Sequence, residues 1–207
     1  TLIDQPLMQA VVADLAVEYE AAVALTLRIA NAFDGTDGES RAFARLAVAV
    51  SKYWLTKRCP NFVYEAMECM GGAGYVEESP LPRLFRESPL NAIWEGSGNV
   101  IALDILRTLA REPAAREAFA NELLKAKGAD PRLDAAIAAL LGDLSRGLPH
   151  EAEARFVAER MALTLQAALL ARHAPHAVAD AFIATRLTAA GGRSFGAHPA
   201  GLDIATI

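Results

Sequence analysis

Apolar residues recur along this chain every three or four positions, and prolines and glycines cut the pattern into segments. Leu7, Val11 and Leu15 open one stripe, and Ala22, Leu25, Ile29 and Phe33 carry it on to Gly35. That is the period of an α-helix with one buried face; a strand needs alternation and cannot satisfy it. Asp4 and Pro6 supply a cap and a first turn. A second stripe starts near Ser40 with Phe43, Ala47, Val50 and Trp54. Pro60 has no N–H to donate, so it predicts a break into two consecutive helices, the later one carrying Ala66 and Met70. Gly71, Gly72 and Gly74 stop that helix. A loop with Pro80, Pro82 and Pro89 surrounds Arg83 and Arg86, and a further helix is predicted from about Glu95 to Arg111, with Val100, Leu103, Leu106 and Ala110 available for burial.

Glu112-Pro113 marks a joint. Beyond it the pattern predicts a helix over 114–127. Asp130-Pro131 then opens another, bearing Leu133, Ile137, Leu140, Leu141 and Leu144. After a break at Gly147 to Pro149, Val157, Met161, Leu165 and Leu169 lie on one helical face, and Pro175 separates a last helix with Val178, Phe182 and Leu187. The segment from Gly191 to Ile207 is aperiodic and is expected to be a loosely held terminus. Composition agrees with the pattern: the chain is 53% hydrophobic, rich in alanine and leucine, and poor in β-branched or aromatic runs. The expected fold is all-α, a four-helix-bundle-like domain over residues 1–111 followed by an additional helical region over 112–207.

The net charge of −5 supplies no bulk attraction for nucleic acid or anionic lipid. No apolar run approaches the roughly 18 to 20 residues of a membrane span, so no membrane is expected as partner. Cys59 and Cys69 are too few for a secreted disulfide framework, which fits a cytoplasmic location. The chain starts at Thr1 almost directly in a helix and is expected to be a piece of something longer.

Two stretches invite a chemical reading. Gly71-Gly72-Ala73-Gly74 ends a helix, whereas a dinucleotide fingerprint follows a strand and opens a helix. A helix stop accounts for these glycines, and backbone amides left open to a diphosphate are the alternative. Trp94-Glu95-Gly96-Ser97-Gly98-Asn99 lies where a loop gives way to a helix. Glu95 there is either an acid stabilised by the helix dipole or a base. Two glycines at a helix start are costly, which points to something coming close to the backbone. His173 and His176 flank Pro175 with no ligand set around them, so no metal is expected. Cys59 and Cys69 read as inert thiols, and neither a Ser-His-Asp order nor a nucleophile elbow is present.

The segment Glu68-Cys69-Met70-Gly71-Gly72-Ala73-Gly74-Tyr75, then Leu81-Pro82-Arg83-Leu84-Phe85-Arg86-Glu87, then Ile93-Trp94-Glu95-Gly96-Ser97, resembles in order and spacing the C-terminal helical domain of the acyl-CoA dehydrogenases. Asp4-Gln5-Pro6-Leu7-Met8 is similar to the start of that domain. The resemblance covers residues 1 to about 111, and its details look most like the alkylation-response (AidB) branch of the family.

The resemblance implies an FAD-dependent enzyme that dehydrogenates an acyl-CoA thioester. Glu95 would remove the α-proton while the β-hydrogen leaves as hydride to the flavin. Ile93, Trp94, Gly96 and Ser97 would lie beside the flavin, and Asn99 would stand near the adenine portion. Gly71 and Gly72 would meet the FAD diphosphate across a subunit interface in a homo-tetramer. Glu68 departs from the usual glutamine, and an anionic side chain there would repel the diphosphate. The family's N-terminal helical and middle β-domains lie outside these 207 residues, so the chain alone is expected to hold FAD weakly and to be inactive. The AidB-like branch brings an alternative: a flavoprotein acting mainly on double-stranded DNA, with Arg155, Arg160 and Arg172 as candidate contacts. From Glu112 onward ten Lys/Arg face eleven Asp/Glu, so this region is no polybasic arm.

Overall fold

Two long helices frame the molecule, α1 over Pro6–Asp34 and α2 over Gly38–Cys69, joined by a short turn that folds the second back along the first. The structure is a computed structural model and describes residues 1–147 and 149–207; Leu148, inside the predicted break, lies outside the described residues. Asp37 starts α2 as its cap, its carboxylate accepting hydrogen bonds from the Ser40 backbone N–H and hydroxyl, each at 2.8 Å. No strand occurs among the described residues.

The break expected at Pro60 does not occur: α2 runs through it. A proline inside a helix costs about 3 kcal/mol relative to alanine, chiefly through a lost hydrogen bond and a clash with the preceding turn. Tertiary packing offsets that cost. Phe43, Leu46, Ala47, Val50, Tyr53 and Trp54 of α2 are all buried. Near Pro60 itself, Arg58 makes a two-pronged bridge to Glu18 of α1 at 2.9 and 3.1 Å.

After α2 come two short helices, α3 over Gly72–Tyr75 and α4 over Leu81–Glu87, and a 3-10 turn over Ser88–Ala92. Next is α5, Gly98–Arg111, which starts later than expected from Glu95. The reason is backbone conformation: Glu95 and Gly96 have φ of 52° and 111°, which no right-handed helix accommodates.

The remaining helices are α6 (Pro113–Leu124), α7 (Pro131–Arg146), α8 (Ala154–His173) and α9 (His176–Phe182), the last ending in a π turn over Ile183–Leu187. Asp130 caps α7 by accepting from the N–H groups of Arg132 and Leu133. Helix α8 is enclosed by its neighbours, with Ala158, Met161, Ala162 and Leu165 fully buried. Phe43 of α2 stacks on Phe119 of α6 with centroids 6.3 Å apart, and the buried apolar cluster runs without interruption from Val17 to Ile183. Residues on both sides of Arg111 therefore share one core.

The segment after Gly191 is fastened down, contrary to the expectation of a loose end. The Gly196 N–H donates to Asp14 Oδ2 at 2.8 Å, and His198 Nε2 bonds the Ala10 carbonyl at 2.8 Å. Phe195 meets Phe62 edge to face and lies under the Arg58 guanidinium. Gly196, at φ 76°, passes so close to Val11 that a Cβ would stand 2.7 Å from its Cγ2. A polar and aromatic anchor of this kind carries no periodic signal.

Candidate active site

The segment Ile93–Asn99 leaves the 3-10 turn and enters α5. Its middle residue, Glu95, is the one non-glycine among the described residues with positive φ, a conformation costing about 1–3 kcal/mol that neighbours must hold in place. Lys52 of α2 does so. Its ammonium donates to the Trp94 carbonyl at 2.6 Å and to the Gly96 carbonyl at 2.9 Å, the carbonyls on either side of Glu95. The Glu95 side chain is exposed and, among the described residues, makes no ion pair.

The two glycines of the turn have reasons on the protein side. Gly96 needs its φ of 111°, and a Cβ there would stand 2.7 Å from Ile101 Cδ1. At Gly98 a Cβ would stand 2.6 Å from Lys57 Cε and 3.7 Å from Arg155 Nη2. Ser97 occupies the cap position of α5, and Asn99 Oδ1 accepts from Arg155 Nε at 2.7 Å. Ile93 and Trp94 turn outward, 64% and 53% exposed, so an apolar wall stands beside Glu95 with nothing over it.

The glycine turn after α2 divides its labour. Gly74 is buried, and a Cβ on it would stand 2.2 Å from the Met67 carbonyl oxygen, so it packs α3 against the end of α2. Gly71 has φ 57°, and the positions where Gly71 and Gly72 would carry a Cβ are open. Lys52 stands about 25 Å from the Cys69 end of α2, at about 1.5 Å of rise per residue, and Gly71 follows that end. The structure therefore brings Ile93, Trp94, Glu95, Gly96, Ser97 and Asn99 together and places Gly71 and Gly72 elsewhere.

The three arginines considered for DNA contact do not form one patch. At about 100° per residue, positions 155, 160 and 172 point to three different sides of α8. Arg160 pairs with Asp143 at 2.6 Å and covers the Phe156 ring, while Arg172 pairs with the buried Glu122 at 2.9 Å. Arg155 faces the α5 start. The thiols of Cys59 and Cys69 are pushed up by burial, away from the reactive thiolate.

Residues 1–110 match the family model described as acyl-CoA dehydrogenase, C-terminal domain. The chain belongs to the acyl-CoA dehydrogenase family. It is 38% identical over 192 residues to the putative acyl-CoA dehydrogenase AidB of Escherichia coli strain K12, which covers 92% of this chain and 35% of that protein. Glutaryl-CoA dehydrogenase of Desulfococcus multivorans is 37% identical over 110 residues, covering 50% of this chain and 26% of that protein. Among solved structures, Caenorhabditis elegans ACDH-11 in complex with C11-CoA superposes with a TM-score of 0.66 at 24% identity, covering 81% of this chain and 33% of that one. The chain thus spans about a third or less of the length of these relatives.

The family match ends where α5 ends, so Arg155 lies outside it, as does all of α8. Lys52 and its bridge were not legible in the sequence. Its one trace is a lysine set in the apolar run between Val50 and Trp54, where a charge must find acceptors.

Proposed function

We propose that this chain is the C-terminal part of a longer FAD-dependent acyl-CoA dehydrogenase in which Glu95 is the catalytic base. The observation that carries the proposal is the Glu95 turn itself: a carboxylate held in an uphill backbone conformation, clamped from behind by Lys52 and flanked by an outward apolar wall. A base that takes the α-proton of a thioester must sit at a fixed place and be shielded from water when it works. The clamp supports the first requirement. A domain closing over Ile93 and Trp94 would meet the second by excluding water.

The residues present fit FAD. Gly71 and Gly72 leave backbone open where side chains would stand, and Ile93 and Trp94 offer apolar surface to a planar ring. Ile93, Trp94, Gly96, Ser97 and Asn99 would hold one part of the cofactor. The bound flavin would supply the acceptor for the substrate's β-hydrogen. The separation of about 25 Å along α2 from Lys52 to its Cys69 end, at about 1.5 Å per residue, favours Gly71 and Gly72 serving a second copy's site, which supports a homo-oligomer. Glu68, exposed just before that turn, sets a like charge near the diphosphate side and weakens that contact.

The alternative, a protein acting mainly on double-stranded DNA, has a smaller footing, because Arg160 and Arg172 already serve Asp143 and Glu122. Two measurements on the longer protein separate the readings. FAD copurifying with it and bleached by an acyl-CoA without oxygen supports dehydrogenation, and flavin that no acyl-CoA reduces contradicts it. Duplex binding that weakens steeply with salt would instead favour DNA, since phosphate contacts release counterions.

A further inference from the structure

We infer that Lys52 and Arg155 are positioning residues for the Glu95 turn, so that the region after Arg111 shares in setting the geometry of the acid–base site. The role for catalysis rests on the dehydrogenase reading above; the clamp itself does not.

The torsions lying between the Trp94 and Gly96 carbonyls are those of Glu95 and Gly96, the two consecutive residues with positive φ. One ammonium holds both carbonyls, at 2.6 and 2.9 Å, and so fixes that pair of residues as a unit. Lys52 is half-buried on a long helix anchored in the core, which makes it a rigid post. An ammonium has three donors, and two are spent here on the turn.

The other end of the turn is held from α8. Arg155 Nε donates to Asn99 Oδ1 at 2.7 Å, and its Nη2 reaches within 3.7 Å of the place a Gly98 Cβ would take. The Lys57 side chain packs against Gly98 and leans toward the Tyr53 ring. Two anchors, one from α2 and one from α8, therefore bracket the Glu95 turn. Residues 1–110 contain the first anchor and the turn; the second lies beyond the family's own domain. With α8 enclosed by its neighbours, Arg155 is carried on a fixed element.

Hydrogen exchange on the 207-residue chain reads the clamp without any cofactor. Lys52→Met should raise exchange of the amides from Trp94 to Ile101 about tenfold while amides of α1 stay protected, since local opening is separable from global unfolding. Lys52→Arg should restore most of the protection, and Arg155→Gln should raise exchange at the start of α5 about threefold. In the longer flavoprotein, Lys52→Met should lower kcat about 100-fold with KM changed less than about threefold, as expected for a misplaced catalytic group. Exchange like the wild type's in both Lys52→Met and Arg155→Gln overturns the clamp whatever the chemistry. Raised exchange with kcat intact overturns the positioning role. Raised exchange in a longer protein whose unaltered form cannot reduce its flavin leaves the clamp standing and overturns the proposed function instead.

Discussion

Arg28 and Glu122 meet in a two-pronged bridge, Nε to Oε1 at 3.0 Å and Nη2 to Oε2 at 2.9 Å, that ties α1 to α6. The Glu122 side chain is 2% exposed and also accepts from Lys125 and from Arg172 of α8, each at 2.9 Å. One buried carboxylate thus joins helices on both sides of Arg111, and removing it would leave three cations facing each other.

Glu122→Ala should therefore destabilise the chain by about 3–5 kcal/mol, the usual cost of breaking a buried ion pair. Arg83→Ala is the matching control, because its bridge to Glu87 is 75% and 61% exposed and should be worth at most about 1 kcal/mol. Urea unfolding of the two variants checks the contrast. A loss below about 1 kcal/mol for Glu122→Ala would mean the buried pair is replaceable.

The same group sets an acid limb of stability. Burial favours its neutral form, yet hydrogen bonds from Arg28 and Lys125, the Arg28 charge and the Arg172 bond outweigh burial and bring the carboxyl from 4.5 down to about 2. The folded state thus binds this proton more weakly than the unfolded state. Its stabilisation, on the order of 3 kcal/mol, is complete above about pH 5 and is lost as pH falls from there toward about 2. Glu18, also pulled down against burial by Arg58 and Arg186, changes stability in the same direction. Unfolding measured from pH 6 to pH 2.5 should show a falling limb that is shallower in Glu122→Gln. An equal slope in both would contradict the assignment.

The glycine turn offers a paired test. Gly74→Ala places a Cβ 2.2 Å from a backbone oxygen that cannot swing aside, so it should destabilise by about 2 kcal/mol or more. Gly72→Ala meets open space and should leave the melting temperature within about 2 °C, since exposed changes cost little. In the longer flavoprotein Gly72→Ala should weaken FAD binding severalfold. If Gly72→Ala unfolds the chain and Gly74→Ala does not, the division of roles is wrong.

Helix starts and stops were legible wherever local chemistry sets them. Asp130-Pro131, Glu112-Pro113 and Pro175 all mark real ends, since a cap or a missing N–H acts within one turn. Pro60 is a poor guide for the opposite reason: its local penalty is outweighed by the packing of α2 against α1, α5, α6 and α8, which no local pattern reports. The residues of the Glu95 turn mark it as a candidate site, but Lys52, which bonds the carbonyls on either side of Glu95, lies far away in sequence. Side chains that hold a turn through its carbonyls leave no motif. The tail is silent in the sequence for the same reason: Gly196, Phe195 and His198 fasten it through single contacts to α1 and α2.

In the proposed reaction Glu95 takes the substrate's proton. Its most direct test is rapid, oxygen-free mixing of an acyl-CoA with the longer flavoprotein carrying Glu95→Gln, following flavin absorbance. FAD should stay bound and its reduction should slow by about a thousandfold or more, as expected when a general base is removed. Reduction at the wild-type rate with FAD in place would contradict that role for Glu95.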